Sequence, residues 1–177
     1  GTLNQVVFSP HWNVPPSIVK DEILPAMEKN PNYLAENNME IVENTGELPT
    51  IRQLPGEKNA LGKVKFLFPN SFNIYLHDTP SKSLFSRDKR AFSHGCIRVS
   101  EPPKLASYLL EDEGSWDDDR IFEAMNAGTE KFVKLKDPAE VFITYYTAWV
   151  DERGRLNFRE DIYGMDKEVA GRMFTKI

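Results

Sequence analysis

The chain has one cysteine, Cys96, among its 177 residues, which excludes an internal disulfide framework. A lone thiol in an enzyme-sized chain is then either a small buried hydrophobe or a reactive group. Concentrated positive charge is also missing. The formal charge is −5, and no Lys/Arg run is long enough to follow a phosphate backbone, so no nucleic acid partner is expected. Long apolar runs are absent as well. The longest, Val141 to Val150, contains two tyrosines and falls far short of the roughly 20 residues that cross a bilayer, so no membrane contact is expected within this chain. No basic stretch followed by an apolar one opens the sequence, and any export signal or anchor is expected to lie outside it. Internal repeats and low-complexity tracts are lacking too.

What is present suits a folded domain. Hydrophobic residues make up 40% and charged residues 28%, and a chain of this length can bury roughly 70% of its unfolded surface. Strands are expected at Gln5 to Phe8, Met39 to Val42, Val64 to Phe68, Phe72 to Leu76, Lys131 to Leu135, Val141 to Val150 and Arg155 to Phe158. Pro69-Asn70-Ser71 would join the third and fourth as a hairpin, and Asp151 to Gly154 the last two. Helices are expected after Ser17, with Pro25 bending the first, after Pro102-Pro103, and after Ser115 as a cap. Between Asn30 and Gly62 the prolines and glycines punctuate a segment that reads as an insertion or lid. The sum is one β-rich α+β unit.

Two of the three histidines, His77 and His94, lie within twenty positions of Cys96, and Gly95 directly precedes it. A thiol of pKa about 8.5 is only a few per cent ionised at neutral pH, so a nucleophilic cysteine needs a nearby base, and imidazole supplies one. His77 ends an expected strand, where a side chain can be held firmly. Gly95 lets backbone approach a substrate carbonyl, and the amides around Gly95 and Cys96 are candidates for an oxyanion hole. Two blander readings compete: a buried cysteine beside structural histidines, and a metal site from His77, His94 and Cys96. The second lacks the Cys-x-x-Cys or His-x-x-x-His spacing that makes zinc persuasive.

His77, fifteen residues, then Ser93-His94-Gly95-Cys96-Ile97-Arg98-Val99 resembles the signature of the L,D-transpeptidase family with the YkuD-type catalytic domain. Arg52 to Gly56, Asn59 to Gly62, Val64 to Phe66, Phe68 to Asn70 and Tyr75 to Pro80 resemble its larger, Gram-negative branch, as do Trp12 to Pro15, Trp149 to Asp151 and Asp161 to Gly164. The resemblance implies a YkuD-like catalytic fold over 1–177, with a capping subdomain inserted at about 12–61 and the first strands of the family's sheet missing from an N-terminally truncated chain. Many members have Asn in place of Arg98, although this branch commonly uses Arg.

The same resemblance implies the chemistry. Cys96 would attack a peptidoglycan stem tetrapeptide between its third residue and the terminal D-alanine, with His77 as base and the carbonyl of Asp78 holding the imidazole. An amine from a second stem would resolve the thioester into a cross-link between third residues, whereas water would give L,D-carboxypeptidase activity. His94 would shape the cleft or hydrogen-bond substrate rather than act as a second base, Arg98 would orient the loop or meet a substrate carboxylate, with a plain surface salt bridge as its competing reading, Ser93 and Gly95 would keep the loop in form, and Tyr75 reads best as core. No cofactor or metal is required. The resemblance places the protein in the periplasm or cell envelope and makes carbapenems expected acylating agents. Papain-like and NlpC/P60-type endopeptidases run in the opposite order, cysteine before histidine. A non-catalytic peptidoglycan-binding domain is the remaining alternative.

Overall fold

The computed structural model describes residues 1–44, 46–93 and 95–174. In chain order its elements are β1 (Thr2–Phe8), β2 (Trp12–Asn13), α1 (Pro16–Ile18), α2 (Leu24–Lys29), α3 (Tyr33–Glu36), β3 (Met39–Glu43), β4 (Thr50–Gln53) and β5 (Val64–Leu67). There follow β6 (Leu76–His77), β7 (Ile97–Arg98), α4 (Pro102–Leu110), α5 (Asp118–Asn126), β8 (Lys131–Glu140), β9 (Ala148–Val150), β10 (Leu156–Phe158) and α6 (Met165–Phe174). The fold is α+β and rich in strands. Among the described residues no helix is long and apolar enough to cross a membrane.

The main sheet runs in the order β7-β6-β5-β1-β8. Its strands pair antiparallel except for β6 and β7, which are parallel. Val6, Val7 and Phe8 of β1 are all fully buried, the pattern of a strand covered on both faces rather than one with a wet side. On one face Val6, Phe8, Val64 and Phe66 pack with Ala106 and Leu110 of α4 and Ile121 and Met125 of α5. Phe8 also stacks on Trp116 at 5.0 Å between ring centroids. Burying each such large side chain contributes about 1.5–3 kcal/mol, so this face carries much of the stability of the sheet.

A smaller sheet, in the order β2-β4-β3, has its own core of Val14, Ile18, Val19, Ile23 and Ile51. It is tied to the main sheet by buried amides. Asn59 donates to the carbonyls of Pro10 (2.9 Å) and Leu54 (3.0 Å) and accepts from the Leu61 N–H (2.8 Å). Gln53 donates to Asn37 and Lys58 and accepts from Ala60. These bonds satisfy backbone groups that the Pro- and Gly-rich segment would otherwise bury unpaired.

Several expectations change in detail. The first helix opens on Pro16 at its first turn with no side-chain cap, so Ser17 is not the cap. Its bend is a π-helical turn, Val19–Ile23, placed just before Pro25, whose missing N–H and bulky ring disrupt the ordinary i→i−4 ladder. The cap of α5 is Asp117, which accepts from the Arg120 N–H at 2.8 Å; Ser115 lies too far upstream. Of the expected strand over Val141 to Val150 only β9 is formed, against β10, while Val141 donates to the Gly1 carbonyl at 2.7 Å.

The expected strand from Phe72 to Leu76 is reduced to β6, because the side chain of Asn70 replaces the ladder. Its Oδ1 accepts from the N–H groups of Phe72 (3.0 Å) and Ile74 (3.2 Å), and its Nδ2 donates to the carbonyls of Phe68 and Ile74, both at 2.7 Å. Asn70→Ala should therefore cost about 1–3 kcal/mol in urea unfolding, because it strands these backbone groups; a loss under about 0.5 kcal/mol would show that water replaces the amide.

The described chain divides into two compact units, Gly1–Val141 and the residues from Phe142 onward, at a boundary that nothing in the composition marks. In the second unit β9 and β10 form a hairpin, and Tyr145 donates to the Asp161 carboxylate at 2.7 Å.

Candidate active site

Parallel pairing of β6 with β7 sets Leu76 opposite Ile97 and His77 opposite Arg98. The Ile97 N–H donates to the Tyr75 carbonyl (3.1 Å) and the Val99 N–H to the His77 carbonyl (2.8 Å), which carries the register one residue back to Tyr75 and Cys96. Side chains alternate along a strand, so Tyr75, His77, Cys96 and Arg98 project from one face of this short ladder. A phenol, an imidazole, a thiol and a guanidinium that are nineteen or more residues apart in pairs are thereby gathered into one patch.

His77 is buried, with 5% of its surface exposed. Its Nδ1 bonds to the carbonyl of Asp78. A carbonyl can only accept, so Nδ1 carries the proton and Nε2 keeps a lone pair. Burial, and then the Arg98 cation, push the His77 pKa below its ordinary 6.5, against opposing pulls from the Asp78 carbonyl and carboxylate. The ring is a neutral base at neutral pH. An NMR titration should place it below 6.5, and Arg98→Met should move it upward, because a repelling charge has gone; no movement would remove Arg98 from the electrostatics of the ring.

Asp78 is buried and anchored on two sides. Its Oδ2 accepts from the Lys63 N–H at 2.9 Å, and Oδ1 lies 2.6 Å from the Lys82 ammonium. That ammonium also reaches the carbonyls of Val99 (3.4 Å) and Ser100 (3.3 Å), bridging to the chain just after β7. Gly62 makes room for the carboxylate: its φ is +63°, and a Cβ there would lie 2.4 Å from Asp78 Cγ and Oδ2. The carbonyl that holds His77 is thus fixed through its own side chain.

Cys96 is half-buried, its thiol 3.9 Å from the Asn73 carbonyl. Tyr75 packs edge-on against His77, with ring centroids 5.9 Å apart. Burial foremost, and then the Cys96 sulfur with which the phenol shares a hydrogen bond, push the Tyr75 pKa up, so it stays protonated. Tyr75 is therefore part of this patch rather than plain core. The Ser93 hydroxyl donates to the Cys96 carbonyl (2.7 Å) and accepts from the Gly95 N–H (3.2 Å). Gly95 has a φ of +136°, which other residues rarely adopt, and this lets the loop turn into β7. His94 lies outside the described residues. Arg98 places its Nε and Nη1 in buried positions with no hydrogen-bond partner among the described residues.

Sequence reasoning singled out Cys96, His77, Asp78, Ser93, Gly95 and Arg98, and the structure brings these six together. Lys82 and Gly62 escaped it. Their signal is weak: Lys82 stands four residues after Asp78 in an exposed 3₁₀ turn, and Gly62 is separated from it by a whole hairpin. Chemically, a half-buried thiol beside a neutral, oriented imidazole can add to an acyl carbon and return the proton to a leaving amine. A cavity of about 600 Å³ between α4 and α5, lined by Tyr108, Ile121 and Phe122 among others, contains none of these groups.

The chain is 36% identical over 183 residues to a Haemophilus influenzae protein named "Putative L,D-transpeptidase", an alignment that takes in 94% of this chain and 37% of that protein. The chain thus spans little more than a third of the length of that relative. The family model for the L,D-transpeptidase catalytic domain matches residues 1–141, ending where the first compact unit ends. With four-fifths of its length covered by that match, the chain belongs to the YkuD family of L,D-transpeptidase catalytic domains.

Proposed function

We propose that this chain catalyses L,D-transpeptidation on peptidoglycan through a thioester on Cys96. The observation that carries this reading is a partly exposed thiol on the same face of the β6–β7 ladder as a buried imidazole whose Nδ1 is occupied by the Asp78 carbonyl, which leaves Nε2 free to act as the base. Cys96 attacks the carbonyl of the third stem residue, and the thiol proton passes to His77. The tetrahedral intermediate collapses as His77 protonates the departing D-alanine nitrogen, and the side-chain amine of a second stem then attacks the thioester with His77 again as base.

Other groups of the patch take supporting roles. The Gly95 N–H is engaged by Ser93, which leaves the Cys96 N–H as the nearer amide for the oxyanion. Tyr75, held protonated beside the sulfur, donates toward the thiolate as it forms. The small sheet and helices within residues 12–61 form the cap over the substrate. The setting is the cell envelope, and carbapenems acylate the same sulfur.

The test is intact-mass analysis after incubation with a stem tetrapeptide. The expected adduct equals the donor less its terminal residue and maps to the peptide that contains Cys96. Adding a second stem should yield the cross-linked product; release of tripeptide alone would assign the chain a carboxypeptidase role instead. Absence of any Cys96 adduct from folded protein would overturn the acyl-enzyme.

A further inference from the structure

The chain leaves the main sheet for the small one over three residues, and each takes part in a different side-chain bond. Ser9 adopts the left-handed conformation (φ +45°) while buried, and its hydroxyl donates to the Ala124 carbonyl (2.9 Å) and accepts from the Gly128 N–H (3.2 Å). The Pro10 carbonyl accepts from the Asn59 amide. His11 is gripped by two opposite charges. Glu130 accepts from its N–H at 2.8 Å and lies 3.2 Å from its Nδ1, while the Lys65 ammonium donates to its carbonyl at 3.3 Å and lies 3.5 Å from the same carboxylate.

These three holds fix different things. Ser9 ends β1, and Asn59 joins the leg that enters the small sheet, at Pro10, to the leg that returns, at Leu54 and Leu61. The Glu130–Lys65 pair acts on the last residue before β2, so it sets the direction in which the small sheet departs. Lys65 also refers that direction to the reactive patch. It is the residue opposite His77 in the β5–β6 ladder, and because Val64 and Phe66 turn into the core with α4 and α5, Lys65 stands on the His77 face. The side chains of Lys65 and Glu130 are only 15% and 19% exposed, too little for solvent to screen them as it screens a surface pair.

We propose that Lys65 and Glu130 are positioning residues for the reaction: through His11 they register the small sheet and its helices against the His77 face, and so set the height of the cleft in which the donor stem lies. This rests on the reading of residues 12–61 as the cap. A cap released from the pair samples other positions, and donor affinity falls by the fraction of time it is out of place. The sulfur and its base, both on the β6–β7 ladder, keep their relation.

The decisive variant joins Lys65→Met to Glu130→Leu. It removes both charges at once, so neither is left buried without its partner, an exchange that is often neutral for stability. With Cys96→Ala added, the calorimetric affinity for a stem tetrapeptide is expected to fall about fivefold or more, as for a cap in place about one-fifth of the time. In the protein that keeps Cys96, alkylation by iodoacetamide, a reagent too small to need the cap, should stay within about twofold of wild type. Should the double variant not fold, Lys65→Met alone, which leaves the carboxylate its two contacts with His11, should weaken binding about threefold. Unchanged affinity in the folded variant would overturn the proposal, as would alkylation that slows by the factor by which binding weakens, because the pair would then act on the sulfur or on the fold at large. Failure of the Cys96→Ala protein itself to bind the tetrapeptide would overturn it together with the acyl-transfer reading. Affinity that depends on the pair, in a protein whose wild type forms no thioester, would support the positioning role while sinking the acyl-enzyme.

Discussion

Replacing His77 by alanine should slow acylation of Cys96 by roughly 100- to 10,000-fold, with the chain still folded. The ring is both neutral and fixed in direction: burial and Arg98 hold its pKa down, and the Asp78 carbonyl dictates which nitrogen is bare. Without it the thiol must ionise by itself, and the leaving amine must depart without a proton donor. Single-turnover acylation monitored by intact mass measures the first effect directly. Added imidazole should restore part of the rate in His77→Ala, and none in Cys96→Ala. The double variant should be no slower than Cys96→Ala, because the two groups act as a unit. Acylation at the wild-type rate in His77→Ala would remove the histidine from the mechanism.

The acid side of the acylation profile follows from the same pKa. A base that must be unprotonated works until pH falls through its folded pKa, and that value is depressed, so the acid limb should lie below pH 6.5. In Arg98→Met the limb should move to higher pH.

Gly62→Ala is expected to have the largest effect on stability of any single methyl addition, about 2–4 kcal/mol. Part of this is backbone strain at φ +63°, about 1–2 kcal/mol. The remainder is collision: the new Cβ lies 2.4 Å from the Asp78 carboxylate, which is also held by Lys63 and Lys82 and cannot simply swing aside. Urea unfolding reads the first consequence. Acylation reads the second, since a displaced Asp78 carries with it the carbonyl that orients His77. A variant within about 0.5 kcal/mol of wild type that acylates normally would show that the carboxylate has no positioning role.

Much of this patch could be read in the sequence because its chemistry depends on rare residue types. One cysteine, a preceding glycine and a histidine at an expected strand end mark a candidate thiol and a candidate base from the sequence alone. Asp78 is different: its position next to His77 is visible, but the importance of its backbone oxygen is not, since every residue has one. Arg98 stood out as a motif residue, whereas its orphaned nitrogens appear only when β6 and β7 lie side by side. Tyr75 alternates with His77 on a strand, a pattern that core residues share, and this is why it read as core. The strand expected over Phe72 to Leu76 shrinks to β6 because a side chain can replace a ladder. Asn70 satisfies the backbone locally, and no period-two pattern records that.

The two-residue strands β6 and β7 separate fastening from connection. Bonds from Ile97 and Val99 to the chain around His77 set the spacing of thiol and imidazole. Lys82 and Ser93 are themselves tied to the chain after β7 and to Cys96, and the residues that link them lie outside the bonds that set this spacing. A lineage could lengthen, shorten or rewrite that link, changing which acceptors reach the sulfur, without retuning the reaction itself. The reactive pair would persist while its clientele diverged.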